Sequence, residues 1–152
     1  MRLVYGFNHD EAVKSFKEGI RHDPRCAMCY WGIAYALGPN INLPMDSASG
    51  VAAHAALQAA RERRAGASRR EQSLIDALAV RYEAQPRSDR AHLDQAYATA
   101  MRDVAVRFPD DHEVTVLHGE SLLDVRPWDY WTQGGEPQPG IADALAGFER
   151  VI

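Results

Sequence analysis

The feature that most constrains the fold is a helix–break–helix pattern over residues 9–37, HDEAVKSFKEGIRHDPRCAMCYWGIAYAL. Pro24 interrupts an otherwise helix-favouring run. Before this break, the small residues Ala12 and Gly19 flank Phe16 at helical spacing. After it, large and small residues recur at the same spacing: Tyr30, Ile33, Ala34 and Leu37. Because small residues let two helices approach and large ones fill the space between them, this stretch predicts two antiparallel helices.

The alternation of periodic segments and breaks continues and predicts about seven helices in all. The expected helices cover residues 10–21, 25–37, 46–64, 68–85, 88–107, 111–125 and 141–152. Ser68 and Glu71 have the S-x-x-E spacing of a capping box, which marks a helix start. Alternating β-branched runs are missing from the sequence, and 46% hydrophobic residues suffice for a core. The sequence therefore predicts an all-α fold.

The order Ala12-x3-Phe16…Pro24 followed by Tyr30 resembles the closing and opening halves of a tetratricopeptide unit, A-x3-F…P and W-x2-[LG]-x2-Y. The chain is also similar to a group of bacterial tetratricopeptide-repeat proteins in the stretches YGFNHDEAVKSF, DPRCAMCYWGIAYALGPNIN and DVRPWDYWT. The resemblance implies a single α-solenoid domain of antiparallel helix pairs, cut at both ends. Its expected divisions are a partial repeat 1–25, repeat 26–66 with insert 38–46, repeat 68–109, and repeat 111–152 with insert 126–140.

The resemblance implies a binding role and no reaction. The first helix of each tetratricopeptide pair lines a concave groove that holds a peptide or partner segment, which assigns Met28, Trp31 and Tyr35 to the groove. The second insert contains two Trp and one Tyr within four residues, and these either pin the loop to the scaffold or present a ligand surface. The first insert is expected on the same rim. The predicted ligand-binding residues are Met28, Trp31, Tyr35, Asn40, Asn42, Trp128, Tyr130 and Trp131.

The Cys26-x-x-Cys29 pair supports an alternative function. A helix start lowers the pKa of a thiol, and Met28 between the two cysteines adds a soft ligand, so Cys26, Met28 and Cys29 suit Cu(I) or redox chemistry. Tyr30 stands where a c-type haem motif needs His, and a structural zinc site has only His22 nearby. The competing interpretation is that both cysteines are small apolar residues packed between helices. Members of the resembled group often have Ala at the second position, which weakens a shared metal role.

Other residue patterns give no support for catalysis. The six His residues form no H-E-x-x-H pair, and His118 falls on the inward stripe of its helix, where a core role is expected. A serine elbow, a phosphate-binding loop and a carboxylate pair are all missing from the sequence. We therefore expect a non-enzymatic scaffold without a cofactor.

Charge and hydropathy restrict the partners. The formal net charge of −4, from 17 basic and 21 acidic residues, argues against nucleic acid as the main partner. The sequence has neither a membrane-length apolar run nor a secretory pattern, which favours the cytoplasm, although a pattern that begins inside a repeat leaves room for a lost signal. Apolar faces at the two ends predict a homo-oligomer; their residues are Ala12, Val13, Phe16, Ile20, Phe148, Val151 and Ile152.

Overall fold

The computed structural model describes residues 1–87 and 89–152. Within them the chain forms eight α-helices, a 3₁₀ turn at Arg64–Gly66, two isolated β-bridges and no strand. The helices are α1 (Arg2–Tyr5), α2 (His9–His22), α3 (Ala27–Ala36), α4 (Ser47–Glu62), α5 (Arg69–Ala79), α6 (Ala91–Arg107), α7 (His112–Asp124) and α8 (Ile141–Glu149). The all-α prediction is confirmed.

Carboxylate or hydroxyl side chains cap the starts of three helices. The Asp46 carboxylate accepts a hydrogen bond from the backbone N–H of Ser49 at 2.8 Å and begins α4. Ser68 and Glu71 form the predicted capping box at α5. Asp111 caps α7 in the same way. Since each cap satisfies a backbone donor that the helix itself leaves free, these starts follow directly from the sequence.

Helix α1 is an eighth helix beyond the seven predicted, and several helix bounds differ from the prediction. Helix α5 ends at Ala79, several residues before Pro86. Tyr82 is still buried, but it lies outside the helix, and its hydroxyl donates to the carbonyl oxygen of Ala34 at 2.7 Å. Burial of this tyrosine therefore does not require a helical backbone. Helix α6 begins at Ala91, and the predicted start at Ser88 lies outside the described residues.

The chain divides into two compact units. The first consists of Met1–Gly38 and Met45–Ser88, and the second of Pro39–Pro44 and Asp89–Ile152. Helix α5 belongs to the first unit and α6 to the second, so the predicted repeat 68–109 draws on both. The division into repeats stays a prediction.

Helix α3 is the centre of the first unit. All six residues from Trp31 to Ala36 are buried, and α2 and α4 both pack against this helix. A Cβ atom at Gly32 would overlap the ring of Phe16, so the glycine is what allows this ring to lie against α3. A helix that is buried on every side needs apolar residues around its whole circumference, and the sequence of α3, AMCYWGIAYA, has them.

Arg63 connects the end of α4 to the turn before α3. Its Nε donates to the carbonyl oxygen of Pro24 at 2.7 Å, and its guanidinium lies 4.3 Å from the centroid of the Tyr30 ring. A third contact, from Nη1 to the carbonyl oxygen of Ala59 at 2.8 Å, fixes the side chain on its own helix. One arginine thus holds the Asp-Pro break in place.

In the second unit, α7 packs against both α6 and α8. A Cβ atom at Gly119 would lie 2.6 Å from the Phe148 ring, and Gly140 lies close to Leu122. Gly140, before the start of α8, lies near Leu122, whereas Phe148 near its end contacts Gly119, so α7 and α8 run antiparallel. Buried residues of α6 such as Tyr97 complete the core.

Candidate functional site

The second insert is a folded loop rather than an irregular one. The backbone N–H of Gln138 donates to the carbonyl oxygen of Tyr130 at 2.9 Å, and that of Thr132 donates to Glu136 at 2.8 Å. The hydroxyl of Thr132 accepts from the N–H of Glu136 at 3.1 Å, and Gly135 turns the chain with a φ of +83°. These contacts make a small hairpin-like element that holds the flanking aromatic residues in fixed positions.

Two of the three aromatic side chains of this insert face solvent. Trp128 is 71% exposed and Trp131 is 52% exposed, whereas Tyr130 is half-buried. The rings of Trp128 and Tyr130 lie with centroids 6.4 Å apart. Trp128 also has a φ of +65°, which is costly for a bulky residue and is typical of functional sites. We call Trp128 and Trp131 the aromatic surface.

The first insert is a tight turn. The side-chain oxygen of Asn40 accepts from the backbone N–H groups of Asn42 and Leu43, at 2.9 and 3.1 Å. Asn42 itself is exposed, and so is Leu43, by 64%. Pro39–Pro44 of the first insert and the whole second insert belong to the second unit.

The expectation that Trp31 and Tyr35 face an open groove is wrong. Their side chains are only 3% and 6% exposed, and their rings stack with centroids 5.0 Å apart. Trp31 Nε1 donates to the carbonyl oxygen of Leu74 at 3.1 Å, and this hydrogen bond satisfies the one polar group of the tryptophan side chain. Met28 is half-buried. The repeat spacing alone could not identify the face of α3 that meets solvent, because this helix is apolar on every side.

The two cysteines form a disulfide, which sequence reasoning missed. Their Cα atoms are 5.3 Å apart, and Cys26 occupies the N-cap of α3, where its Sγ accepts from the backbone N–H of Cys29 at 3.1 Å. Neither sulfur is a thiolate in this form, so the Cu(I) hypothesis for Cys26, Met28 and Cys29 applies only to the reduced chain. Nowhere in residues 1–87 and 89–152 do three or more His, Cys, Asp or Glu side chains gather as a metal site would require.

The apolar face assigned to the first end of the chain is partly covered. Ala12 is buried, Phe16 and Ile20 are half-buried, and α2 packs against both α1 and α3. At the other end Phe148 is half-buried and Ile152 is exposed. Self-association through either face is untested, and the homo-oligomer stays a prediction.

A groove over α7 was also missed. The α7 side lining it is formed by Thr115, His118, Gly119 and Leu122, at the spacing of one helix face. Sequence reasoning assigned His118 to the core, but its side chain is half-buried and lines this groove. The groove depends on three helices, so no local motif marks it.

Comparison with known protein families, curated proteins and solved structures finds no match to this chain. The resemblance to tetratricopeptide-repeat proteins is therefore supported only by its motifs. Among the helices that the structure describes, none combines the length and apolar composition needed to cross a membrane.

Proposed function

We propose that this chain is a tetratricopeptide-like α-solenoid that binds a peptide or protein segment without catalysing a reaction, and that the aromatic surface is a main contact. The observation that carries the proposal is the exposure of Trp128 and Trp131 on a loop fixed by hydrogen bonds. A pinning role would have buried these rings.

The repeat architecture is supported by local features of each unit. Helices α2, α3 and α4 pack in succession, as do α6, α7 and α8. The connections at residues 23–26 and 108–111 are short and contain Pro24 and Pro109. Short breaks between packed helices are typical of helix-pair repeats.

Exposed tryptophans suit a binding surface for energetic reasons. An aromatic side chain can bury about 150–250 Å² of its surface, and it has few rotamers to lose on binding. Binding hot spots are enriched in Trp and Tyr for this reason. Trp128 has a left-handed backbone conformation, which is energetically unfavourable for a bulky residue. Residues held in such conformations cluster at binding and active sites, which supports a binding role for this tryptophan.

The proposal is tested by selecting peptides from a random displayed library against the whole chain. Selected peptides are then measured by fluorescence anisotropy against the double variant Trp128→Ala/Trp131→Ala. We expect affinity to fall by roughly tenfold or more, as for truncated aromatic hot spots. Val51→Ala is the matched control, because Val51 is 55% exposed on α4 and lies in the other unit.

Two results would count against the proposal. One is a selection that enriches no peptide. The other is binding that the double variant retains at full strength while circular dichroism shows an intact fold.

The disulfide supports a second candidate function, thiol–disulfide exchange. An external dithiol would supply two electrons: the Cys26–Cys29 bond breaks, a disulfide forms in the dithiol, and its two protons pass to the two cysteines. The N–H of Cys29, 3.1 Å from Cys26 Sγ, stabilises negative charge that develops on Cys26. Both cysteine residues are half-buried.

A redox titration of the whole chain in dithiothreitol buffers decides this candidate. A reduction potential above about −230 mV places the pair with exchange catalysts, whereas one below about −300 mV identifies a structural bond. Metal analysis of the reduced chain after incubation with Cu(I) tests the related metal hypothesis.

A further inference from the structure

The α7 groove is a concavity of the second unit with a volume of about 550 Å³. Helix α7 forms its floor, and α6 and α8 form its walls. The walls and floor carry small residues where they meet, including Ala98, Gly119 and Gly147. Gly119 lies against the Phe148 ring and Gly147 against Thr115, so α7 and α8 pack closely along the groove.

The charge of the groove differs from that of the chain. Arg102 on α6 and Arg150, which follows the end of α8, line the groove. Asp143 is the one acidic residue among its described lining residues, whereas the whole chain has a formal net charge of −4. Arg150 makes no ion pair with any residue that the structure describes. Arg102 has only a long contact, 3.4 Å, to the neighbouring Asp103. Both guanidinium groups are therefore available to an anionic ligand.

His118 lies on the floor between these charges. Burial lowers its pKa below the ordinary value, an effect that Arg102 and Arg150 reinforce and Asp143 opposes. In the described parts of the chain its ring has no hydrogen-bond partner. A half-buried imidazole that faces a cavity can exchange hydrogen bonds with a ligand.

We infer that the α7 groove binds an acidic segment of a partner protein, whose carboxylates pair with Arg102 and Arg150 and whose apolar side chains lie on the small residues of the floor. The inference rests on the proposed function and names the chemistry of the partner. A positive groove on a negative protein favours an acidic ligand by charge complementarity.

A segment fits the groove better than a small organic anion does. Small-molecule sites enclose most of their ligand's surface. Here both arginines are exposed, and Val106, 74% exposed, continues the groove towards Pro109. A surface of this kind suits a chain that lies along the helices.

The test uses a fluorescein-labelled peptide of repeated Ala-Glu-Glu-Leu, acetylated and amidated so that its ends carry no charge. The same peptide with Lys for Glu is the charge control. Anisotropy is measured on the whole chain, on the double variant Arg102→Glu/Arg150→Glu, and on Arg69→Glu, an exposed arginine outside the groove. We expect only the Glu peptide to bind, with affinity lost by roughly tenfold or more in the double variant and unchanged in the control.

The pH dependence gives an independent readout. Protonation of His118 adds a positive charge beside Arg102, Arg150 and Asp143, so binding of the Glu peptide should strengthen as the pH falls below about 6.5. His118→Gln should remove this strengthening, so that its affinity for the Glu peptide changes little between pH 8 and pH 6.

Three outcomes would overturn the inference: equal binding of both peptides, full binding by the double variant, or displacement of the peptide by a simple dicarboxylate such as glutarate at equal concentration. A dimer that dissociates only in the double variant would assign the groove to a second copy of the chain and overturn it too. Failure here remains separable from failure of the proposed function. Library peptides that depend on Trp128 and Trp131 but not on the arginines would support the aromatic surface alone.

Discussion

Replacement of Gly119 with Ala tests the packing of α8 on α7. An added Cβ would lie 2.6 Å from two ring carbons of Phe148, closer than a side-chain carbon normally approaches. Gly119 is buried, so the ring or the helix must shift to make room. The same substitution also favours the helix, because alanine is the better helix former. The outcome depends on which effect is larger.

The two effects have comparable but unequal sizes. Overpacking of a tight contact costs about 1–3 kcal/mol, and the Gly-to-Ala exchange in a helix returns about 1 kcal/mol. We therefore expect Gly119→Ala to lower the free energy of unfolding by roughly 1 kcal/mol. In the Phe148→Ala background the ring is absent, and the same exchange should raise stability by up to about 1 kcal/mol. The sign of the effect should reverse.

Urea denaturation followed by circular dichroism at 222 nm measures all four members of this double-mutant cycle. Gly66→Ala is the control, since no atom lies within 4 Å of the added Cβ and its backbone accepts alanine. We expect that variant to be neutral or slightly stabilised. If Gly119→Ala had the same effect with and without Phe148, contact between these residues would not determine the packing of α8.

Three further predictions concern single groups. Trp31→Phe should lower the free energy of unfolding by about 1–3 kcal/mol in urea denaturation, because the carbonyl oxygen of Leu74 loses its buried donor. Asp46→Ala should lower the melting temperature at pH 7; hydrogen bonds from Ser49 depress the pKa of Asp46, so the difference should fade as the pH falls below the ordinary value of 3.8. Burial depresses the pKa of His118, so the unfolded chain takes up this proton first, and stability should decline below pH 6.5 less steeply in His118→Gln than in the native chain, as measured by melting temperature.

Structural features that depend only on residues close together in the chain could be predicted from the sequence. The capping box at Ser68 and Glu71 and the break at Pro24 operate over a few positions, and the structure has both. The aromatic insert was also predicted as a candidate. Which of its side chains are exposed required the structure, because the same composition suits a buried loop and an exposed one.

The features that sequence reasoning missed depend on distant or ambiguous contacts. The orientation of Trp31 is set by an acceptor on Leu74, 43 residues away, and no periodicity encodes it. The spacing of Cys26 and Cys29 is equally compatible with a disulfide bond, with a shared metal ion, or with two free cysteines packed between helices. The α7 groove appears only when residues of three helices come together, so its arginines resemble ordinary surface charges in the sequence.

The path of the chain between the two units has a consequence for its synthesis. Pro39–Pro44 belongs to the second unit but is translated before Met45–Ser88, which belongs to the first. During translation, Pro39–Pro44 is therefore synthesised before the first unit is complete. These six residues cannot pack with the rest of the second unit until Asp89–Ile152 has been made. By the same order, a gene cut once after residue 88 would leave neither fragment whole: one would carry six foreign residues and the other would lack them.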